Sequence, residues 1–164
     1  MGLCTGTYSG EERIPSGMTT ALSREERDTL LFESGVGVLA LTDGTEAYSV
    51  PESFGYDGET LYFQFVHTAE SKKMGFLETT ETATFTVYDE QPAQSVIVRG
   101  TLEPVLEDEE TKAATAIADN ASIPTVNVYP DTKPDEFTTD YYRLTPTEIT
   151  GRQFNIFTPS PDDQ

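Results

Sequence analysis

The sequence predicts a mainly β fold, an antiparallel β-barrel with added helices, and three observations carry that prediction. Short runs rich in β-branched and aromatic residues are separated by tight turn signals. Two of those turns, DGTE (43–46) and DGE (57–59), follow one another, which implies an antiparallel meander. Helical stretches interrupt the strands without the regular strand–helix–strand alternation of a parallel sheet, so a small closed or split barrel is expected. The 164 residues suit one domain with a proper core.

LSREERDTLLFE (22–33) reads as a helix, with Ser23 as N-cap and Glu26 completing a capping box. Gly35 stops it, and VGVLALT (36–42), AYSVPESFGY (47–56) and TLYFQFV (60–66) follow as strands around the two DG turns. Pro51 places the middle strand at an edge or a bulge, because proline cannot donate to a ladder. A helix follows, with Thr68 as its expected N-cap and Met74 and Leu77 turned to the core. ATFTVYD (83–89) and the long QSVIVRGTLEPV (94–105) resume the sheet, with Gly100 marking a bulge or bend. EDEETKAATAIADNA (107–121) is a helix with an acidic first turn. A proline-bounded loop (123–137) and a last strand around 141–150 complete a domain spanning 22–154, between a flexible extension (1–21) and a flexible tail (155–164).

The 29 acidic against 10 basic residues give a net charge of −19, most of which must coat the surface because unpaired carboxylates are costly to bury. Nucleic acid and anionic membranes are therefore poor partners. Enough aromatic residues are present to build a core, so the acid excess points to a globular protein adapted to concentrated salt rather than to disorder. At about 1 M salt the Debye length is about 3 Å. An anionic ligand must then be held by direct contacts. A single cysteine, Cys4, excludes a disulfide framework and fits a reducing cytoplasm.

One histidine and no G-x-S-x-G elbow leave little room for a Ser-His-Asp site, and one histidine with one cysteine little for zinc. FVHTAESKKM (65–74) is more informative. It holds the only histidine, His67, and two of the four lysines, Lys72 and Lys73, where a strand runs into a helix. Free N–H groups at such a helix start, the hydroxyls of Thr68 and Ser71, and the two ammonium groups together suit a phosphate. The competing reading is an ordinary capped helix with two solvated lysines. SVPESF (49–54) is the second candidate, a strand whose unpaired backbone groups can meet the edge of a flat heterocycle, against a plain edge strand. Arg99 in QSVIVRG (94–100) pairs with an acid, either across a subunit interface or within the chain.

These segments in this order, LSREERDTLLFESGVGVLAL, AYSVPESFGYDGETLYFQF, ESKKMGFLETTETATFTVYD and SVIVRGTLEPV, with a weaker match at EITGR, resemble the pyridoxamine 5'-phosphate oxidase-like family of FMN-binding split barrels. The resemblance is closest to the small haloarchaeal, nitroimidazole-resistance-like members. It implies a homodimer with FMN at the subunit interface, the isoalloxazine along Val50, Pro51, Glu52 and Ser53, and the phosphate at Ser71, Lys72 and Lys73. Lys73 is the best match to the family's basic position. It also implies that Ser95 to Arg99 lies near the flavin and the dimer contact, and that His67 and Thr68 stand close to the cofactor, without a catalytic role for His67. The chain lacks tryptophan and the Arg-rich C-terminal segment that grips vitamin B6, so another small molecule is expected as substrate. An FMN-dependent oxidoreductase is the first reading. A non-catalytic flavin-binding or sensing protein and a deazaflavin-binding reductase are the alternatives.

Overall fold

The computed structural model describes residues 18–120 and 133–155. Eight strands and three α-helices are present among them: β1 (Thr19–Ala21), α1 (Arg24–Glu33), β2 (Val36–Thr42), β3 (Ala47–Ser53), β4 (Gly55–Tyr56), β5 (Leu61–His67), α2 (Lys72–Thr79), β6 (Ala83–Glu90), β7 (Ala93–Pro104), α3 (Glu110–Asn120) and β8 (Thr138–Phe154). All pairings are antiparallel, in the order β3-β2-β6-β7-β8-β5-β4, with β1 added on β8. The sheet curls into a half-barrel with the three helices around it, the mainly β split-barrel architecture expected from the sequence.

Local chemistry explains most of these elements. Ser23 and Glu26 close the capping box of α1: the Glu26 N–H donates to Ser23 Oγ at 3.2 Å and the Ser23 N–H to Glu26 Oε2 at 2.7 Å. Each DG turn sets glycine at positive φ, 91° at Gly44 and 98° at Gly58, where a side chain would be strained. The preceding aspartates, Asp43 and Asp57, accept backbone N–H groups two and three residues on and lock the turns. The register shifts between Arg99 and Gly100, which is the expected bulge. Alternation along β2, β6 and β7 sends Leu39, Leu41, Phe85, Val87, Val96 and Val98 into the core, beside Phe54, Phe63 and Phe65.

Four details differ from the sequence reading. Thr19–Ala21 pairs with β8, so these residues belong to the sheet rather than to the extension; residues 1–17 and the tail from 156 lie outside the described residues. The strand expected over 47–56 breaks at Phe54, whose ring is fully buried, and resumes as β4 against a different partner, β5. β8 runs well beyond 141–150 at both ends, because β7 and β5 flank it on opposite edges and β1 extends it. The helix expected to start after Thr68 begins at Lys72, with Ser71 as its N-cap; the Ser71 N–H donates to the Thr68 carbonyl in the preceding turn.

Candidate functional site

β3 is the terminal strand of the sheet order, at an edge as Pro51 suggests, and β5 is next to last at the other end, between β8 and β4. Curling brings the two strands into contact without a ladder between them. A cleft of about 360 Å³ occupies this split, lined by Tyr48, Val50, Pro51 and Glu52 from β3, Gln64 and Val66 from β5, and Thr68, Glu70, Ser71, Lys72 and Lys73 from the turn and start of α2.

The helix end of this cleft is the polar end. The first N–H groups of any α-helix lack intrahelical partners and carry partial positive charge. At α2 Ser71 makes no side-chain cap, and the first turn holds no acid. The two lysines differ. Lys72 is exposed, lies 5.5 Å from the Tyr48 ring centroid, which stacks on Phe76, and pairs loosely with Glu46 at 3.3 Å. Lys73 is held inside. Its Nζ lies 4.6 Å from the Phe65 ring centroid and hydrogen-bonds the Glu52 carboxylate, with Lys73 15% and Glu52 13% exposed. Burial pushes the Glu52 pKa above its ordinary value, and the Lys73 charge and hydrogen bond hold it back only in part.

Seven of the residues singled out from the sequence therefore meet in one cleft: Val50, Pro51, Glu52, Thr68, Ser71, Lys72 and Lys73. Three stand elsewhere. His67 Nε2 pairs with Asp140 Oδ2 at 2.6 Å on the β5–β8 side, and the lining passes from Val66 to Thr68. Ser53 ends β3 opposite Val36. Ser95 sits on β7 between Tyr88 and Arg152, outside the lining. Arg99 makes the in-chain salt bridge, with Glu148 at 3.6 Å. Tyr48, Gln64, Val66 and Glu70 also line the cleft and went unselected. Period-two alternation from Val50 reaches Tyr48, and counting back in twos from Thr68 reaches Val66 and Gln64. Glu70 carries no such signal.

A second cleft of about 360 Å³ lies at the start of α1, lined among others by Arg24, Arg27, Asp28, Tyr56 and Glu148. Its two arginines are partly engaged, with the buried Arg27 Nε lacking a hydrogen-bond partner among the described residues. Arg27 Nη1 donates to the Ile149 carbonyl, and Arg24 stands 3.8 Å from Asp28. Among the described residues no group of three His, Cys, Asp or Glu is placed to hold a metal, and no helix is long and apolar enough to cross a membrane.

Comparison with known proteins bears on most of the chain. Residues 23–153 match the family model described as pyridoxamine 5'-phosphate oxidase. No curated protein sequence matches. Among solved structures, a candidate pyridoxamine 5'-phosphate oxidase from Corynebacterium glutamicum superposes with a TM-score of 0.65 at 25% identity, covering 87% of this chain and 98% of its own. The FAD binding protein from Mycobacterium smegmatis gives 0.62 at 28% identity, covering 84% and 100%. A candidate 5-nitroimidazole antibiotic resistance protein from Bacteroides thetaiotaomicron gives 0.63 at 18% identity, covering 83% and 87%, and shares the fold. With its curled antiparallel sheet, its helices and a family match running from the cap of α1 to the end of β8, the chain belongs to the pyridoxamine 5'-phosphate oxidase-like family.

Proposed function

We propose that the protein is a flavoprotein that binds FMN in the β3/α2 cleft and uses it to oxidise or reduce a small molecule. The observation that carries this reading is the pairing, in one cleft, of an uncapped helix start bearing Ser71, Lys72 and Lys73 with a sheet edge at Val50–Glu52 that forms no ladder across the split. The helix start suits a phosphate, and the edge offers backbone groups to the polar rim of a flat ring. Bound FMN supplies the redox chemistry, while these residues bind and orient it. FMN is preferred over FAD, named for the M. smegmatis neighbour, because the cleft volume is at the low end for ligand sites and one helix start, suited to a single phosphate, borders it.

A homodimer is part of the same reading. Pro51, Val38, Thr86, Ile97 and Thr150 form a row of direct neighbours across five strands. No member of that row is charged in a chain of net charge −19, and Tyr88 beside it is 64% exposed. A second copy on this face lies beside the cleft at Pro51 and is the route by which Ser95 joins a flavin site. High salt and a cytoplasmic setting fit the acid-rich surface and the lone cysteine.

Absorbance and fluorescence titration of the purified protein with FMN tests the cofactor. A bound flavin spectrum is expected, and retention of riboflavin or deazaflavin in preference to FMN overturns the choice. Anaerobic bleaching by a nicotinamide donor, followed by reoxidation with small acceptors, separates an enzyme from a flavin store. Ile97→Asp is expected to convert the dimer to monomer in light-scattering chromatography. A wild-type monomer that still holds FMN removes the dimer from the reading.

A further inference from the structure

The FMN reading leaves one contact unexplained. The lysine best placed to take a phosphate already holds a carboxylate: Lys73 Nζ hydrogen-bonds Glu52, and both side chains are mostly buried. Resting on the phosphate reading of this cleft, we propose that Glu52 is a resident anion in the phosphate site, which a ligand phosphate replaces on Lys73 while Glu52 takes a proton from solvent.

The geometry supports exchange rather than coexistence. Lys73 Nζ lies between the Phe65 ring, 4.6 Å from its centroid, and Glu52. A phosphate reaching Lys73 therefore stands beside the Glu52 carboxylate. Like charges brought together out of water cost several kcal/mol, and protonating Glu52 removes that cost. The other charged groups around it do not relieve it. Glu70 in the lining is a further acid, Lys72 points its charge towards Glu46, and β5 contributes only Gln64 and Val66. His67 is paired with Asp140. Burial already biases Glu52 towards its neutral form, as the upward direction of its pKa records. Once Lys73 serves the phosphate, nothing on this list keeps Glu52 ionised. The neutral acid then offers its O–H to a phosphate oxygen.

This predicts a pH dependence opposite to that of a plain phosphate site. A site built for the dianion binds more tightly as pH rises through the phosphate's second ionisation near about 6. Here, uptake of one proton makes the FMN dissociation constant rise about tenfold per pH unit, over the window between the pKa of Glu52 in the free protein and its higher value in the complex. The decisive experiment titrates FMN and riboflavin into wild type and Glu52→Gln by flavin fluorescence between about pH 5 and pH 9. Glu52→Gln is expected to bind FMN at least about tenfold tighter than wild type at the alkaline end, with the rise in dissociation constant with pH abolished, and to change riboflavin affinity far less than FMN affinity. FMN affinity that rises with pH in wild type, or is equal or weaker in Glu52→Gln, overturns the proposal. Should Glu52→Gln not fold, wild-type calorimetry in buffers of different ionisation enthalpy decides: uptake of about one proton on FMN binding supports it, and none overturns it. Should neither flavin bind, the flavin reading fails by itself and inorganic phosphate reads the exchange. Stronger thermal stabilisation of Glu52→Gln than of wild type by phosphate at alkaline pH, with the difference closing towards acid pH, supports it, and equal stabilisation of both or stabilisation of neither overturns it.

Discussion

At the start of α1, Ser23 and Glu26 exchange two hydrogen bonds, and two glutamates occupy the first turn. At the start of α2, Ser71 takes the same place with a similar φ, −65° against −64°, but makes no side-chain cap, and the first turn holds no acid. The third helical position explains much of the difference: Glu26 in α1, Met74 in α2, where Met74 packs against the core. Each start borders a cleft of about 360 Å³. The chain caps one helix start with its own side chains and leaves the other without a side-chain cap. In a protein with 29 acidic residues, withholding acid from one first turn and placing two lysines there marks a site more clearly than the lysines alone.

The contrast can be broken most severely at Lys73. Lys73→Met keeps the contact on Phe65 and removes the charge, and is expected to weaken FMN about a hundredfold in fluorescence titration while changing riboflavin little, as loss of a charged hydrogen bond requires. Ser71→Ala should weaken FMN up to about tenfold and leave the melting temperature in place, because no cap is lost with the hydroxyl. Ser23→Ala should do the reverse, lowering stability by about 1 kcal/mol in urea unfolding with FMN affinity intact. Equal effects of the two serine variants on stability would erase the distinction. The smallest effect is a pH dependence. Hydrogen bonds from the Ser23 N–H and hydroxyl hold the Glu26 pKa below its ordinary 4.5. Its contribution is therefore present above that value and lost as pH falls through the lower folded one, so the stability difference between wild type and Glu26→Gln should fade in unfolding curves taken at progressively acid pH.

What the sequence disclosed follows from the range of the forces involved. The α1 cap, the DG turns, the edge position of Pro51 and the bulge at Gly100 depend on residues within a few positions of one another, and each was readable. The start of α2 was misplaced by three residues because Thr68 and Ser71 both qualify as caps, and the core position of Met74 cannot be weighed without the sheet beneath it. β1 is three residues long and exists only through β8, more than a hundred positions away. Within the site, the lysines and the β3 segment stood out by composition. The pairing of Lys73 with Glu52 did not, since it needs the curl that brings β3 to α2. His67 drew attention as the only histidine, and Asp140, seventy-three positions on, accounts for it.

The middle place of β8 in the sheet has a consequence for the order in which the molecule is made. Every residue lining the β3/α2 cleft has left the ribosome by the time Thr79 has, yet within the sheet only β8 joins β5 to the β7–β6–β2–β3 half. Until Thr138–Phe154 is synthesised and inserted, the two walls of the cleft belong to separate pieces of ladder. Such distant pairing is slow to form. A nascent chain halted before residue 138 would carry every cleft residue and no cleft, so on the flavin reading proposed above cofactor loading falls among the last events of its folding.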